Sequence, residues 1–268
     1  MSQRNRPQAL IFDLDGVIMR GQTVIPQAPQ VLRALAENGF RAYFLTNNST
    51  RTRADYLALL SAVGIPCSEE QVMTSAYATA LYMSEHGWGG KAVFVIGERG
   101  LHEELRLAGM RPTEARDFRE AQAVVVGLDR QFDYEALRCA QQAILAGAEF
   151  IASNGDDTYP TETGIVPGAG SIVAAVAAAA GKEPLVIGKP NTFMLERLLA
   201  QAGCPAECAV LVGDRLDTDI ELGRRVGMVT VLVLTGVTDR VRAESAPPGQ
   251  RPDVIIEDLS QLLSFLES

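Results

Sequence analysis

Short apolar runs alternate with segments of helical spacing along almost the whole chain, and no other feature limits the fold as much. Residues 9–14 (ALIFDL) are an apolar run that ends in carboxylates. In 29–38, Val31, Leu32 and Leu35 recur at helical spacing until Gly39 stops them. Residues 40–46 (FRAYFLT) read as a strand, and 54–63 as a helix closed by Gly64 and Pro66. This βαβα order implies a parallel sheet covered on both faces. Residues 208–212 (CAVLV) and 229–234 (VTVLVL) are continuous apolar runs, as strands buried on both faces must be. A strand at 253–256 and a helix near 258–266 end the chain. Between these halves, strand-like 91–96, 122–127 and 149–152 alternate with helical 100–108 and 134–146. That middle third is a self-sufficient α/β unit. The expected layout is a core from 1–80 and 184–268, with 81–183 inserted in one of its loops.

At 268 residues the chain buries a core without staples. Its net charge of −9 repels nucleic-acid phosphates and anionic membranes, which excludes both as expected partners. A phosphorylated substrate meets the same repulsion, so a cation must offset it locally. Cys67, Cys139, Cys204 and Cys208, with only His86 and His102, make no zinc pattern and read as reduced thiols. The first residues lack a signal-peptide run, and the apolar stretch Ile172–Ala180 is too short to span a bilayer. A cytoplasmic location is expected.

Four segments at or near strand ends carry candidate chemistry, because ligands of open α/β sheets bind at the carboxyl ends of strands. FDLDG places Asp13 and Asp15 two residues apart, with Gly16 freeing the turn. Carboxylates that close need a cation between them, or one takes a proton. Asp13 then suits attack on phosphorus and Asp15 proton transfer, unless the segment is simply an Asp/Gly turn. FLTNN offers Thr46, Asn47 and Asn48 as donors to phosphate oxygens, or as a helix cap. IGKPN presents Lys189 as a point charge for a phosphate, with Pro190 initiating a helix, or else as a surface lysine. LVGDRLDTD brings Asp214, Asp217 and Asp219. Asp214 is placed to bind Mg²⁺ and Asp219 to hold Lys189 or Asp214 in position, though acidic groups also favour a helix start. GAGS at 168–171 lacks the Lys-Ser/Thr of a phosphate loop and reads as the start of a helix.

In this order the motifs resemble those of the haloacid dehalogenase-like (HAD) hydrolase superfamily. FDLDGVI, FLTNNST and VGDRLDTDI are most similar to its NagD-like, 4-nitrophenylphosphatase-like branch, which carries a C2-type cap. The resemblance covers essentially the whole chain. It implies an α/β fold, a Rossmann-like parallel-sheet core with an inserted α/β cap domain. It also implies a Mg²⁺-dependent phosphatase of small phosphate monoesters, working through an aspartyl phosphate on Asp13. By the same resemblance Asp13 is nucleophile and metal ligand. Asp15 is the acid/base and gives Mg²⁺ its backbone carbonyl. Thr46 and the Asn47–Asn48 backbone bind phosphate, Lys189 neutralises charge, and Asp214 completes the metal site. The cap loop 153–168 resembles a substrate-specificity loop, with Tyr159 where relatives contact the leaving group and Asp156 and Asp157 in reach. The branch leaves room for a homodimer through the cap.

Two other functions fit the same residues: a phosphotransferase or mutase using the same intermediate, and a non-catalytic module binding phosphorylated ligands. A dinucleotide-binding enzyme is disfavoured, since the first strand leads into DLDG and not G-x-G-x-x-G.

Overall fold

The structure, a computed structural model, describes residues 7–21, 23–161 and 164–267. Six parallel strands form the first sheet, in the order Val254–Ile256, Val229–Val233, Ala209–Gly213, Ala9–Asp13, Arg41–Thr46, Val72–Thr74. The fully buried strand Ala9–Asp13 lies near its middle, Phe12 opposite Val212 on one side and Phe44 on the other. The chain builds outward in one direction through Arg41–Thr46 and later in the other from Ala209–Gly213. The crevice of such a sheet opens where the order reverses, at the end of Ala9–Asp13.

The second sheet is also parallel, in the order Leu185–Val186, Glu149–Ala152, Ala123–Val126, Ala92–Ile96, Arg111–Thr113. It is built between Val72–Thr74 and Ala209–Gly213, so it is an insertion into the first. The fold class is therefore α/β, a Rossmann-like core carrying an inserted α/β unit. A two-stranded antiparallel hairpin, Thr158–Thr161 with Gly164–Pro167, projects from the insertion.

Period-two alternation sorts each strand between two cores. Leu10, Phe12, Phe44 and Val231 face Leu32, Leu35, Tyr56 and Leu60 on one side of the first sheet. Ala9, Ile11 and Leu45 face the other way, into a cluster that continues through Met83 and Leu198 to Val93, Val125 and Ile151 of the second sheet. The far side of the second sheet packs Phe94, Val124 and Phe150 on Ile144, Val173 and Val176. Each such large side chain contributes about 1.5–3 kcal/mol on burial.

Two helices escape the periodicity reading. Ser75–Glu85, capped by the Thr74 side chain, buries Ala76, Ala78, Thr79, Ala80 and Met83, so it shows no one-sided apolar stripe. Phe193–Ala202 begins three residues after Pro190, which does not initiate it. The Asn191 carboxamide sets that start: its oxygen accepts from Phe193 N at 3.0 Å and its nitrogen donates to the Val186 carbonyl at 2.9 Å. The expected cap loop 153–168 is largely the hairpin, with Tyr159 opposite Val166; its residues 162 and 163 lie outside the described residues. Pro160 and Pro167 mask the strand pattern in the sequence. GAGS does start a helix, Ala169–Ala180, capped by Gly168.

Candidate active site

Four strand ends and turns converge as the strand-end rule requires. Asp13 closes the central strand and Thr46 its neighbour, Asp214 follows Ala209–Gly213, and Lys189 follows Leu185–Val186. Asp13, Lys189, Asp214 and Asp219 are all at most 5% exposed. Lys189 Nζ donates to Asp13 Oδ1 at 2.5 Å and to Asp219 Oδ1 at 2.7 Å. Asp219 Oδ2 accepts from the backbone N–H of Asp214 (3.2 Å) and Arg215 (3.1 Å). Both oxygens of Asp219 are thus committed, and it positions the lysine and the 214–215 turn. Asp214 differs: Oδ2 accepts from Val237 N at 2.7 Å, while its buried Oδ1 has no partner among the described residues.

Asp13, Asp214 and Asp219 each place one oxygen within 4.8 Å of the others, the one such cluster among the described residues. Three carboxylates and one lysine leave negative charge in excess, and a buried carboxylate oxygen without a donor is costly. Burial pushes the Asp13 carboxyl well up against the pull of Lys189, and Asp219, Asp214 and Asp15 push it further. Burial, then Asp219, pushes Asp214 up to about 7. Burial alone would depress Lys189, but Asp13 and Asp219 outweigh it and hold the ammonium charged. An oxygen-ligated divalent cation fits this donor set, with Asp13 and the free oxygen of Asp214 as its side-chain ligands.

The rest of the pocket is held by hydrogen bonds. Thr46 Oγ1 donates to Asp15 Oδ2 at 3.3 Å and accepts from Asn48 N at 3.1 Å. Burial raises the Asp15 carboxyl, opposed by Lys189 and the Thr46 bond, which suits a proton donor. The Asn47 side chain is a clamp. Its Nδ2 donates to Asp156 Oδ1 (2.9 Å) and the Lys189 carbonyl (3.1 Å), and its Oδ1 accepts from Lys189 N (2.8 Å). The Asn48 carboxamide accepts from Thr50 N at 2.9 Å. The Asn47 side chain is therefore fully used in holding the turns together, and it is not free for a ligand. None of Thr46–Asn48 is the helix cap; Thr52 caps Arg53–Ala62 in a reciprocal box with Asp55. The cleft is open to solvent, and Leu128, Asp156 and Tyr159 line it from the inserted unit. Asp157 lies outside it, along a neighbouring groove.

Sequence reasoning missed several supports. Asn154 Nδ2 and Ser75 Oγ both donate to the Asn47 carbonyl, at 2.7 and 2.6 Å. Arg215 pairs with Asp217 and reaches the Thr158 carbonyl at 3.4 Å. Asn154 follows a second-sheet strand, as the expected residues follow theirs, and that position was the available signal. In the loop bearing Gly236 and Val237 it is a backbone N–H that reaches Asp214, which no side-chain pattern announces.

A Cβ on Gly236 would lie 1.9 Å from Asp214 Oδ2 and 2.4 Å from its Cγ. Gly236→Ala must therefore displace the carboxylate. A misplacement near 1 Å costs about 10²-fold in turnover. Steady-state kinetics should show that loss with a raised Mg²⁺ requirement; an unchanged requirement would contradict Asp214 as a ligand.

One lysine among buried carboxylates accommodates a cation and an anionic group together, and fold and site define a hydrolase class that handles phosphate esters. A haloacid dehalogenase-like hydrolase family model matches residues 10–111, and a second HAD-hydrolase-like model matches 186–262. The chain is 38% identical to dihydroxyacetone phosphatase of Corynebacterium glutamicum, over 94% of this chain and 89% of that protein. It superposes on p-nitrophenyl phosphatase from Archaeoglobus fulgidus with a TM-score of 0.89 at 35% identity, covering 97% of this chain and 99% of the other. Glycerol phosphate phosphatase from Mycobacterium tuberculosis, in complex with magnesium, gives 0.86 at 37%, covering 97% and 78%. The chain belongs to the haloacid dehalogenase-like hydrolase family, in its NagD-like, 4-nitrophenylphosphatase-like branch, and is a phosphoric monoester hydrolase of that type. Mg²⁺ is the cofactor consistent with this family.

The raised carboxyls carry a pH prediction. Their folded values lie above their unfolded ones, so in the metal-free protein these carboxyls cost no stability below about pH 4 and destabilise increasingly as pH rises through the folded values. Mg²⁺ must displace those protons to bind. The Mg²⁺-induced rise in Tm, against chelator, should be larger at pH 8 than at pH 5. A rise that shrinks with pH would contradict the assignment.

Proposed function

We propose that the chain is a Mg²⁺-dependent phosphatase of small phosphate monoesters that works through an aspartyl phosphate on Asp13. The observation that carries this reading is the asymmetry of the buried acids: Lys189 grips Asp13 and Asp219, while Asp214 keeps one buried oxygen free. Lys189 donates to Asp13 Oδ1 and opposes the burial that raises its carboxyl, and a bound Mg²⁺ would complete its ionisation. An Asp13 oxygen attacks phosphorus in line, and the bond from phosphorus to the leaving oxygen breaks. Asp15, its carboxyl raised by burial, gives its proton to that oxygen. It then takes a proton from a water that attacks the same phosphorus, freeing phosphate and restoring Asp13. The Thr46 hydroxyl and the Asn47–Asn48 backbone orient the phosphoryl oxygens. Mg²⁺, when bound by Asp13, Asp214 and the Asp15 carbonyl, supplies positive charge against the transferring group.

In this reading residues 1–80 and 184–268 are the catalytic core and 81–183 the cap that chooses the substrate. The exit strand Leu185–Val186 still pairs with the second sheet. Net charge −9 disfavours nucleic acid and anionic lipid as partners. Among the described residues no helix is long and apolar enough to cross a membrane. Four free cysteines suit a cytoplasmic enzyme. The test is phosphate release from a panel of monoesters with Mg²⁺ and with chelator. Metal-dependent hydrolysis supports the reading; metal binding without turnover of any ester overturns it.

Tyr159 lines the cleft from the inserted unit, and in this reading it contacts the leaving group. Tyr159→Ala should change kcat/KM ratios among natural-type monoesters about tenfold or more, while a small aryl phosphate changes less, since one lost apolar contact discriminates by about 1–3 kcal/mol. Equal loss on every substrate would contradict that role.

A further inference from the structure

The carboxyl ends of the second sheet form a rim of turns, Gly97–Glu98 after Ala92–Ile96, Gly127–Arg130 after Ala123–Val126 and Ser153–Asp157 after Glu149–Ala152, of which Leu128, Asn154 and Asp156 line the cleft. Three side chains from this rim form a polar chain. Arg130 Nε donates to Tyr159 Oη at 3.2 Å, and Arg130 Nη1 lies 3.4 Å from Glu98 Oε1, which also accepts from Arg130 N at 3.4 Å. The Arg130 side chain is 60% exposed, and no contact to its Nη2 occurs among the described residues. Leu128, two residues earlier, lines the cleft beside Tyr159.

The charge map gives this arrangement a consequence. Asp13, Asp15, Asp156, Asp214 and Asp219 crowd the floor, so a second anionic group on a substrate is repelled there. The other cations are committed: Lys189 to two carboxylates and Arg215 to both oxygens of Asp217. Arg51 lies over the Tyr56 ring, near Asp15. Arg130 is held by two long contacts and keeps one amino edge open at the rim. A guanidinium with a free edge pairs with a carboxylate or phosphate through two parallel N–H bonds.

We propose that Arg130 is a specificity-determining residue that selects phosphate monoesters bearing a second anionic group, a carboxylate above all, on the leaving-group side. It rests on the phosphatase reading. Glu98 sets the guanidinium, and Arg130 in turn fixes Tyr159, so the cap presents an apolar ring and a cation together. The geometry makes 2-phosphoglycolate a better substrate than 2-hydroxyethyl phosphate, which replaces the carboxylate by a hydroxymethyl group.

The experiment measures kcat and KM for this matched pair and for 4-nitrophenyl phosphate, with wild type, Arg130→Gln and Arg130→Lys. Wild type should favour the carboxylate. Arg130→Gln should lower the ratio of the two kcat/KM values about tenfold or more, mainly through KM. Arg130→Lys, keeping charge but not the fork, should fall between. The wild-type preference should also shrink with added salt, as an exposed pair does. A ratio unmoved by Arg130→Gln, or equal losses on both esters, overturns the proposal and reduces Arg130 to a support for Tyr159. Absence of turnover of all three esters by wild type overturns the phosphatase reading instead.

Discussion

Asp13→Asn should lose at least about 10⁴-fold in turnover, the scale on which removal of a nucleophile is felt. The amide keeps the shape but cannot attack phosphorus. The fold should survive. Burial pushes the Asp13 carboxyl up, so its charge is an unfavourable presence in the metal-free protein. Lys189 keeps its 2.7 Å bond to Asp219 when Asp13 is neutralised. Thermal melting should therefore shift by only a few degrees in chelator, while the Mg²⁺-induced rise in Tm should shrink. Residual turnover within tenfold of wild type would contradict the covalent role. Collapse of the fold would contradict the account of the charges.

Lys189→Met is expected to damage both activity and stability. The lysine is buried between two buried carboxylates at 2.5 and 2.7 Å, and removing it leaves like charges facing each other. Breaking a buried ion pair on one side costs about 3–5 kcal/mol. Turnover should fall about 10³-fold, since a fixed cation at the transferring group is lost. The sign of the pH effect separates this cause from poor packing. Asp13, already raised by burial, loses the pull of Lys189 that opposes it, so its folded value rises further. The variant's deficit should be smallest below about pH 4, where the unfolded values lie, and grow as pH rises. A deficit independent of pH between 4 and 8 would assign the loss to the shape of methionine.

Much of this was legible from strand ends. Continuous apolar runs such as AVLVG and VTVLV announce parallel strands buried on both faces, and their carboxyl ends locate a crevice before any contact is known. Asp13, Thr46 and Asp214 are therefore readable as neighbours although they are far apart in the chain. What stayed hidden depends on packing without pattern. Ser75–Glu85 buries residues on more than one side, so its sequence shows no clean apolar stripe. The hairpin around Tyr159 is disguised by its prolines. Asn47 reads as one more donor to phosphate, yet its carboxamide ties together the turns at Lys189 and Asp156, a role that exists only once three distant segments meet. Asp219 likewise reads as one carboxylate among several until both of its oxygens are seen to be taken.

The most direct test of the central claim is to trap the intermediate. Wild type turning over a monoester in Mg²⁺ is quenched in acid, reduced with borohydride and digested, and the peptide containing residue 13 is weighed by mass spectrometry. The account predicts reduction of an acyl phosphate at Asp13 alone, absent from Asp13→Asn and from a chelator-treated sample. Turnover with no phosphorylated or reduced Asp13, or with the label on another residue, would contradict it.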